Sequence, residues 1–453
     1  MPEKLERSIS LMGAVGVIVG FVVGGSIFVL IPSLAGMTGP SLYLAYACSA
    51  LPALFAALYL IQPGSALPVT GANYIAITRW VSPVAGFTSS LAVCIGIICT
   101  NCLVAWGFGE YLSVYFPQIP VIVYAVLVIL FLSLINWLGV GVFEKIQVAM
   151  MAIFILAMLI FGIGGCLNMD PGLHTELFPK GMGAFITVVA IASFSWGGVI
   201  AVVEVAGEVK NPKKNLPRSI IISMIIIGTL YVLQTYALTG NLLWSEASAL
   251  GSTAILTAAA TFLPQWGVNF LALGALLAMA TTVNAMILMG AREIFAWSND
   301  KLIPEVFMRI HPKYKTPEMT IFLITLLSII GVLFSADLEK YALMVVFGLM
   351  VIQLLGAFAV FRMPKVAPEV FARAGIQFSP FWRGFTWIGC FIVFLGIFIF
   401  GFLADYVTGF VFLGIWLSSI LYWFVRKKYL ERQGIKISDT LRQKLPQTSH
   451  TET

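Results

Sequence analysis

Gly20-Phe21-Val22-Val23-Gly24-Gly25-Ser26-Ile27-Phe28 interrupts an apolar run, 11–31, that is otherwise long enough to cross a bilayer. A spanning helix takes about 20 apolar residues. Glycine inside a helix costs about 1 kcal/mol relative to alanine, so glycines clustered beside a serine mark a place where the helix can open. At membrane depth an opened turn is tolerable only where it lines a polar cavity. There its freed amides and the positive end of the second half-helix form a seat for an anion such as a carboxylate. The alternative is a small-residue patch for close helix packing, and Gly20 and Gly24 have the GxxxG spacing.

Farther along, Phe194-Ser195-Trp196-Gly197-Gly198 again puts paired glycines in the middle of an apolar run. Two interrupted helices at matching places in successive five-helix blocks point to an inverted-repeat transporter with its site at the bilayer midplane.

The rest of the chain fits that frame. Of its 453 residues, 60% are hydrophobic and 10% charged, which excludes a water-soluble fold. Apolar runs predict helices near 11–31, 41–61, 83–105, 119–138, 146–165, 184–206, 220–242, 270–291, 319–334, 341–361, 387–402 and 407–424. The expected architecture is an all-α polytopic membrane protein with these twelve spans. Residues 1–425 form a single membrane domain: repeat one at about 9–166, repeat two at about 184–362, and helices 11 and 12 at about 385–425. The charged segment 426–453 is a cytoplasmic tail.

With this partition 24 of the 26 basic residues fall on one side, leaving Lys180 and Lys340 on the other. Such asymmetry places both termini in the cytoplasm of a protein of the cell membrane. Basic residues confined to short loops are a topology signal and do not form a face for nucleic acid. The apolar run after the short polar start exceeds a signal-peptide core, so the first segment is read as a retained span. The six cysteines lie in or beside apolar segments and read as small hydrophobes. Cys99 and Cys102 form a CxxC without a second pair or a nearby histidine, which gives no support for a metal or redox centre.

Glu208-Val-Lys210-Asn211-Pro212-Lys213-Lys214-Asn215-Leu216-Pro217-Arg218 resembles the signature of the amino acid–polyamine–organocation (APC) superfamily. Leu67-Pro68-Val69-Thr70-Gly71-Ala72-Asn73-Tyr74 is similar to the family's LPxxGGxY segment, with Ala72 replacing the second glycine. Arg292, Asn299-Asp300-Lys301-Leu302-Ile303-Pro304 and Lys315-Thr316-Pro317 resemble its loop between spans eight and nine. The resemblance implies the leucine-transporter fold, a 5+5 inverted repeat with helices 1 and 6 broken, and alternating access. Where the family usually has G-[SA]-G-[IV]-F, this chain has Gly24-Gly25-Ser26-Ile27-Phe28, with the small residues exchanged.

By that resemblance the backbone at Val23, Gly24, Gly25, Ser26 and Ile27 would hold a substrate α-carboxylate. The carbonyls around Phe194, Ser195, Trp196 and Gly197 would hold its α-ammonium, which also suits a helix C-terminus. Phe194 matches the family's aromatic gate; the alternative is an ordinary packing phenylalanine. Trp196 either narrows the pocket or faces a neighbouring helix. Cys99, Asn101 and Cys102 on span three, and Asn284 on span eight, either line the cavity or, for the asparagines, join helices.

A carboxylate within a span is costly and points to function. Glu204 lies seven residues after Gly197, close to two helical turns, so it shares the face of the break. It is a proton carrier or cation lure, or a structural carboxylate, either paired with an arginine such as Arg292 or simply near the membrane interface. Glu208, nearer the helix end, fits a gate or an end contact. Many uncoupled or proton-linked relatives carry a lysine in span five, and the matching position here is Phe154. Thr281 and Thr282 instead look like the hydroxyl pair that, with first-helix carbonyls at Gly20 and Val23, completes a sodium site in the broader fold; the alternative is back-bonding within their own helix. Sodium coupling, proton coupling and exchange all stay open.

No charged residue lies near either break to receive an ionic side chain. The expected activity is therefore secondary transport of a neutral, small or apolar amino acid, cation-coupled as symport or antiport, with a proton-coupled or exchange permease for other amino acids or amines as the alternative. No cofactor is expected beyond a coupling Na⁺ or H⁺, and no partner beyond the substrate and membrane lipid. An enzyme would need clustered titratable or metal-binding residues, and the three histidines, His174, His311 and His450, lie in loops or the tail. No GxxxxGK[ST] motif is present to bind a nucleotide. A channel would not call for two broken helices.

Overall fold

The computed structural model describes residues 9–66, 71–204, 206–334, 338–435, 437 and 441. Of Gly25, Ser26, Phe194, Gly198, Ile200, Ala201 and Glu204 it describes the backbone alone. The first span begins as helix α1, Leu11–Gly25, passes through a π-helical turn at Ser26–Leu30, and resumes as α2, Ile31–Thr38. Pro32 sits in the first turn of α2, where a missing N–H costs nothing. Gly39, at φ 75°, ends it, and a Cβ there would lie 2.4 Å from the Pro179 ring.

Helix α3 covers Leu42–Ala66 and α4 covers Ala72–Trp80. Next come α5, Pro83–Tyr115, α6, Val121–Trp137, and α7, Val140–Leu167. The Ser82 side chain caps α5 by accepting from the Ala85 amide at 3.1 Å. The second interrupted region is α8, Gly181–Ala192, a 3₁₀ segment, Ser193–Ile200, and the short α9, Ala201–Glu204. It leads into α10, Pro212–Asn241.

Two small helices, α11, Trp244–Leu250, and α12, Ala254–Ala260, precede α13, Gln265–Asn299. The remainder comprises α14, Glu318–Phe334, α15, Leu338–Val366, α16, Pro368–Ala372, α17, Pro380–Ala404, and α18, Tyr406–Arg432. Several of these helices outrun their apolar cores; α5 reaches ten residues past the predicted end at 105. An apolar window reports what lies in lipid, whereas the hydrogen-bond ladder continues until a cap or a proline ends it.

Among the described residues, eight helical segments are long and apolar enough to cross a membrane, the first being the 56-residue run Leu11–Ala66. Val121–Trp137, Gly181–Gly197 and Glu318–Phe334 are shorter apolar helices. The molecule is thus an all-helical, polytopic membrane fold.

Helix α1 is apolar on every side and correspondingly enclosed, packing on α7, α10, α13 and the 3₁₀ segment. By contrast α17 and α18 present exposed rows such as Phe391, Ile392 and Leu403, then Phe410 and Leu421, as lipid-facing helices should. At one end of the bundle Ile9 pairs with Val209 in an isolated parallel bridge: its amide donates to the Glu208 carbonyl at 2.9 Å and its carbonyl accepts from Lys210 at 2.8 Å. At the other end the Ser41 amide reaches the Leu177 carbonyl at 3.0 Å, and Asp170 reaches Gly240 at 2.8 Å. Segments that the charge partition assigns to one side are therefore neighbours in space.

Candidate functional site between the two irregular helices

Both predicted interruptions are present, and neither opens into extended chain. The first is a π turn and the second a 3₁₀ segment, so the backbone stays helical with altered pitch. Each switch of pitch moves carbonyls out of the i→i−4 ladder and offers them to side chains. Tyr231 of α10 makes this visible: its hydroxyl lies 2.6 Å from the Val22 carbonyl and 2.7 Å from the Ser195 carbonyl. One phenol thus joins the first interrupted helix to the second.

Around Tyr231 the surroundings are aromatic. The rings of Tyr46 and Trp196 meet it edge-on at 5.3 and 5.2 Å. Trp196 Nε1 donates to Ser49 Oγ of α3 at 3.0 Å, so this indole faces α3 and α10; it does not narrow a pocket at the break. The Tyr46 and Ser195 hydroxyls approach each other but fall short of hydrogen-bond geometry, and neither has a hydrogen-bond partner among the described residues. Two buried hydroxyls without partners are costly in an apolar interior unless a polar group arrives to meet them. Val23 and Ile27 of the first interrupted helix are fully buried. The side chains of Gly25, Ser26, Phe194 and Glu204 lie outside the described residues, so those expectations carry forward on position alone.

Gly20 and Gly24 serve the packing reading made from their spacing. A Cβ on Gly24 would lie 1.9 Å from the Ala278 carbonyl oxygen, and one on Gly20 would lie 2.2 Å from Gln147 Nε2. These glycines let α1 lie directly on α7 and α13. At Gly197 the near neighbour is the flexible end of Leu349, 2.1 Å from a built Cβ.

That close approach brings the predicted threonines to the first helix. Thr282 Oγ1 donates to the Gly20 carbonyl at 2.7 Å and lies 3.2 Å from that of Phe21. Thr281 Oγ1 lies 2.6 Å from its own helix's Ala278 carbonyl and 3.2 Å from Gly20. Back-bonding and first-helix contact therefore coexist, and the neutral oxygens gathered there are the donor type a hard monovalent cation takes. Gly20, Thr281 and Thr282 come together; Phe21 joins them, and Val23 makes no hydrogen bond in this cluster.

Span five reaches the same place through Gln147, not through Phe154, whose ring is buried farther along α7, where Gly274 of α13 packs against its backbone. Gln147 Nε2 donates to the carbonyls of Gly16 and Thr281, both at 3.1 Å. Its Oε1 accepts from Asn284 Nδ2 at 2.9 Å, and Asn284 Oδ1 accepts from Asn136 at 2.8 Å. Asn284 thus joins helices α6, α7 and α13. Asn101 takes the helix-joining one of its two readings: it donates to Ser328 Oγ of α14 at 2.9 Å.

Two buried ion pairs lie among the described carboxylates. Arg292 pairs with Glu208, with Nε 2.8 Å from Oε1 and Nη2 3.1 Å from Oε2, both side chains fully buried. Nearby, Arg79 grips Asp300 through two bonds of 2.7 and 2.8 Å, and Tyr74 donates to the same carboxylate at 2.7 Å. Glu293 was missed in the sequence although it stands in a span beside Arg292. It is fully buried and hydrogen-bonds Ser90, whose Oγ also accepts from Trp297 at 2.7 Å. All six cysteines are free, and no group of three or more metal-ligating side chains occurs among the described residues.

The family model described as "Amino acid permease" matches residues 11–437. The chain is 26% identical over 391 residues to the branched-chain amino acid permease BcaP of Bacillus subtilis, covering 81% of this chain and 83% of that one. It is likewise 24% identical over 411 residues to the serine/threonine exchanger SteT of the same organism, covering 86% and 90%. At 26% identity over 401 residues it also resembles that organism's methylthioribose transporter, covering 83% and 86%.

Proposed function

Because the chain belongs to the amino acid permease family, a family of membrane transporters and not enzymes, we propose that it is a secondary transporter moving neutral, small or apolar amino acids by alternating access. In this reading the twelve predicted spans form a 5+5 inverted repeat with two appended helices, and both termini face the cytoplasm across the cell membrane. The observation that carries it is the Tyr231 hydroxyl between the Val22 and Ser195 carbonyls, which sets the two irregular turns face to face. An amino acid's carboxylate suits the amides leading into α2, and its ammonium suits carbonyls of the Ser193–Ile200 segment. The buried side chains of Val23 and Ile27 at the first turn are uncharged, which favours a neutral side chain. A branched-chain permease and a serine/threonine exchanger among the relatives lie within that range.

For coupling, Gly20, Phe21, Thr281 and Thr282 would hold Na⁺, whose positive charge would tie α1 to α13. Glu204 and Glu208 line the route toward the basic end of the bundle in this scheme, Glu204 as a proton carrier and Glu208 as half of a gate with Arg292. One observation favours a second reading, exchange without a coupling ion: the neutral Gln147 amide already satisfies carbonyls of α1 and α13.

Purified protein in proteoliposomes, offered a panel of labelled amino acids with sodium and pH gradients applied separately, tests all of this. Saturable uptake of a neutral amino acid is the expected result. Selective uptake of cationic or acidic substrates alone, or unitary currents in place of counterflow, would refute it.

A further inference from the structure

Away from the site, the bundle's flank holds a cavity of about 660 Å³ lined wholly by apolar side chains, including Leu54 and Phe55 of α3, Ile221 and Ile225 of α10, and Phe378 and Phe385. Its rim at the basic end is firmly built. The Gly375 amide donates to Ser65 Oγ of α3 at 3.1 Å, and a Cβ on Gly375 would lie 2.6 Å from the Lys213 carbonyl of α10, so this loop is pinned to both helices.

Two arginines lie close in the chain to the lining residues at that end of the cavity. Arg218 is exposed and lies three and seven residues before Ile221 and Ile225, on the same face of α10. Arg383, two residues before Phe385, holds its guanidinium 5.1 Å over the Phe371 ring, and its Nε is buried without a hydrogen-bond partner among the described residues. Among the described residues, neither arginine forms an ion pair.

Apolar contact alone gives such a groove no preference, since bilayer tails are as apolar as its walls. Selectivity must come from the charged mouth, and guanidinium groups favour phosphate. We propose that the groove is a site for an anionic phospholipid from the leaflet at the basic end, its acyl chain lying between α3, α10 and α17 and its phosphate at Arg218 and Arg383.

Native mass spectrometry of the full chain, released from micelles holding equal phosphatidylglycerol and phosphatidylcholine, reads this directly. Retention of phosphatidylglycerol should exceed that of phosphatidylcholine by about fivefold or more, the factor for one basic residue near a charged surface. Arg218→Gln combined with Arg383→Gln should bring the ratio close to unity, Arg218→Lys should preserve it, and Ile225→Trp, which fills the groove, should lower retention of both lipids. Equal retention by the wild type, or an unchanged ratio in a monodisperse double variant, would overturn the proposal. So would displacement of the lipid by excess inorganic phosphate, because a free anion brings no chain.

Discussion

Tyr231 sets its hydroxyl 2.7 Å from the Ser195 carbonyl and, with the same oxygen, reaches the first interrupted helix at Val22. A phenol has one proton to give, so the two carbonyls share it, and any movement that separates the two turns must break at least one contact. Tyr231→Phe keeps the aromatic packing and removes the bridge. The expected cost is about 1–3 kcal/mol of stability for buried carbonyls left unmet, together with a loss of uptake larger than any fall in the amount of inserted protein. Uptake measured per inserted molecule checks it, and wild-type rates would remove Tyr231 from the site.

Glycine substitutions should separate packing from function. Gly24→Ala would press a methyl against the backbone oxygen of Ala278, which cannot move aside cheaply, whereas Gly197→Ala meets only the end of Leu349. Overpacking costs about 1–3 kcal/mol, and Gly24→Ala should sit at or above the top of that range with Gly197→Ala well below it. Melting temperatures of the two variants in detergent give the order.

The buried ion pair makes a double-mutant prediction. Arg292→Met alone leaves the Glu208 charge buried and should destabilise by about 3–5 kcal/mol, while adding Glu208→Met should recover much of the loss. If the pair also closes the basic end of the pathway, the double variant should remain folded yet transport with altered kinetics. Thermal unfolding and counterflow assays on the four proteins test the two statements separately.

Sodium dependence turns on Thr282, which bonds to Gly20 and touches Phe21. With sodium bound there, Thr282→Ala should raise the sodium concentration needed for half-maximal uptake by about tenfold, roughly the 1.4 kcal/mol expected for losing a single hydroxyl ligand. Uptake by the wild type that ignores sodium would favour the exchange reading.

His174 supplies a pH test outside the membrane-spanning segments. Partial burial lowers its pKa below 6.5, against the opposing bond to Thr239. The unfolded chain therefore binds this proton more readily than the folded one, so the stability owed to the neutral ring is complete above about pH 6.5 and declines as pH falls toward the folded value. The ring packs against Tyr43 and Tyr236, which also touch each other. His174→Gln should flatten the fall in melting temperature between pH 7 and pH 5.

Much of the architecture was legible because apolar length and glycine placement are properties of the chain alone. The interruptions at Gly24–Gly25 and Gly197–Gly198 could be placed to within a few residues, as could the packing role of Gly20 and Gly24. Partner choice was less legible. Arg292 is bonded to Glu208, Asn101 takes the helix-joining one of its two readings at Ser328, and span five meets the threonine cluster through Gln147. Glu293 stands two residues past the predicted end of span eight at 291, inside the longer observed helix, and its partner Ser90 lies 203 residues away.

Composition, span length, charge partition and the positions of helix-weakening residues were determined by the sequence, since each depends on local transfer energies and backbone entropy. Only the tertiary structure decided which carbonyl meets which hydroxyl, and that the interrupted turns stay helical as π and 3₁₀ segments. In a buried bundle a polar group takes whichever partner the crossing helices bring within about 3 Å, and helix crossing is a property of the assembled whole.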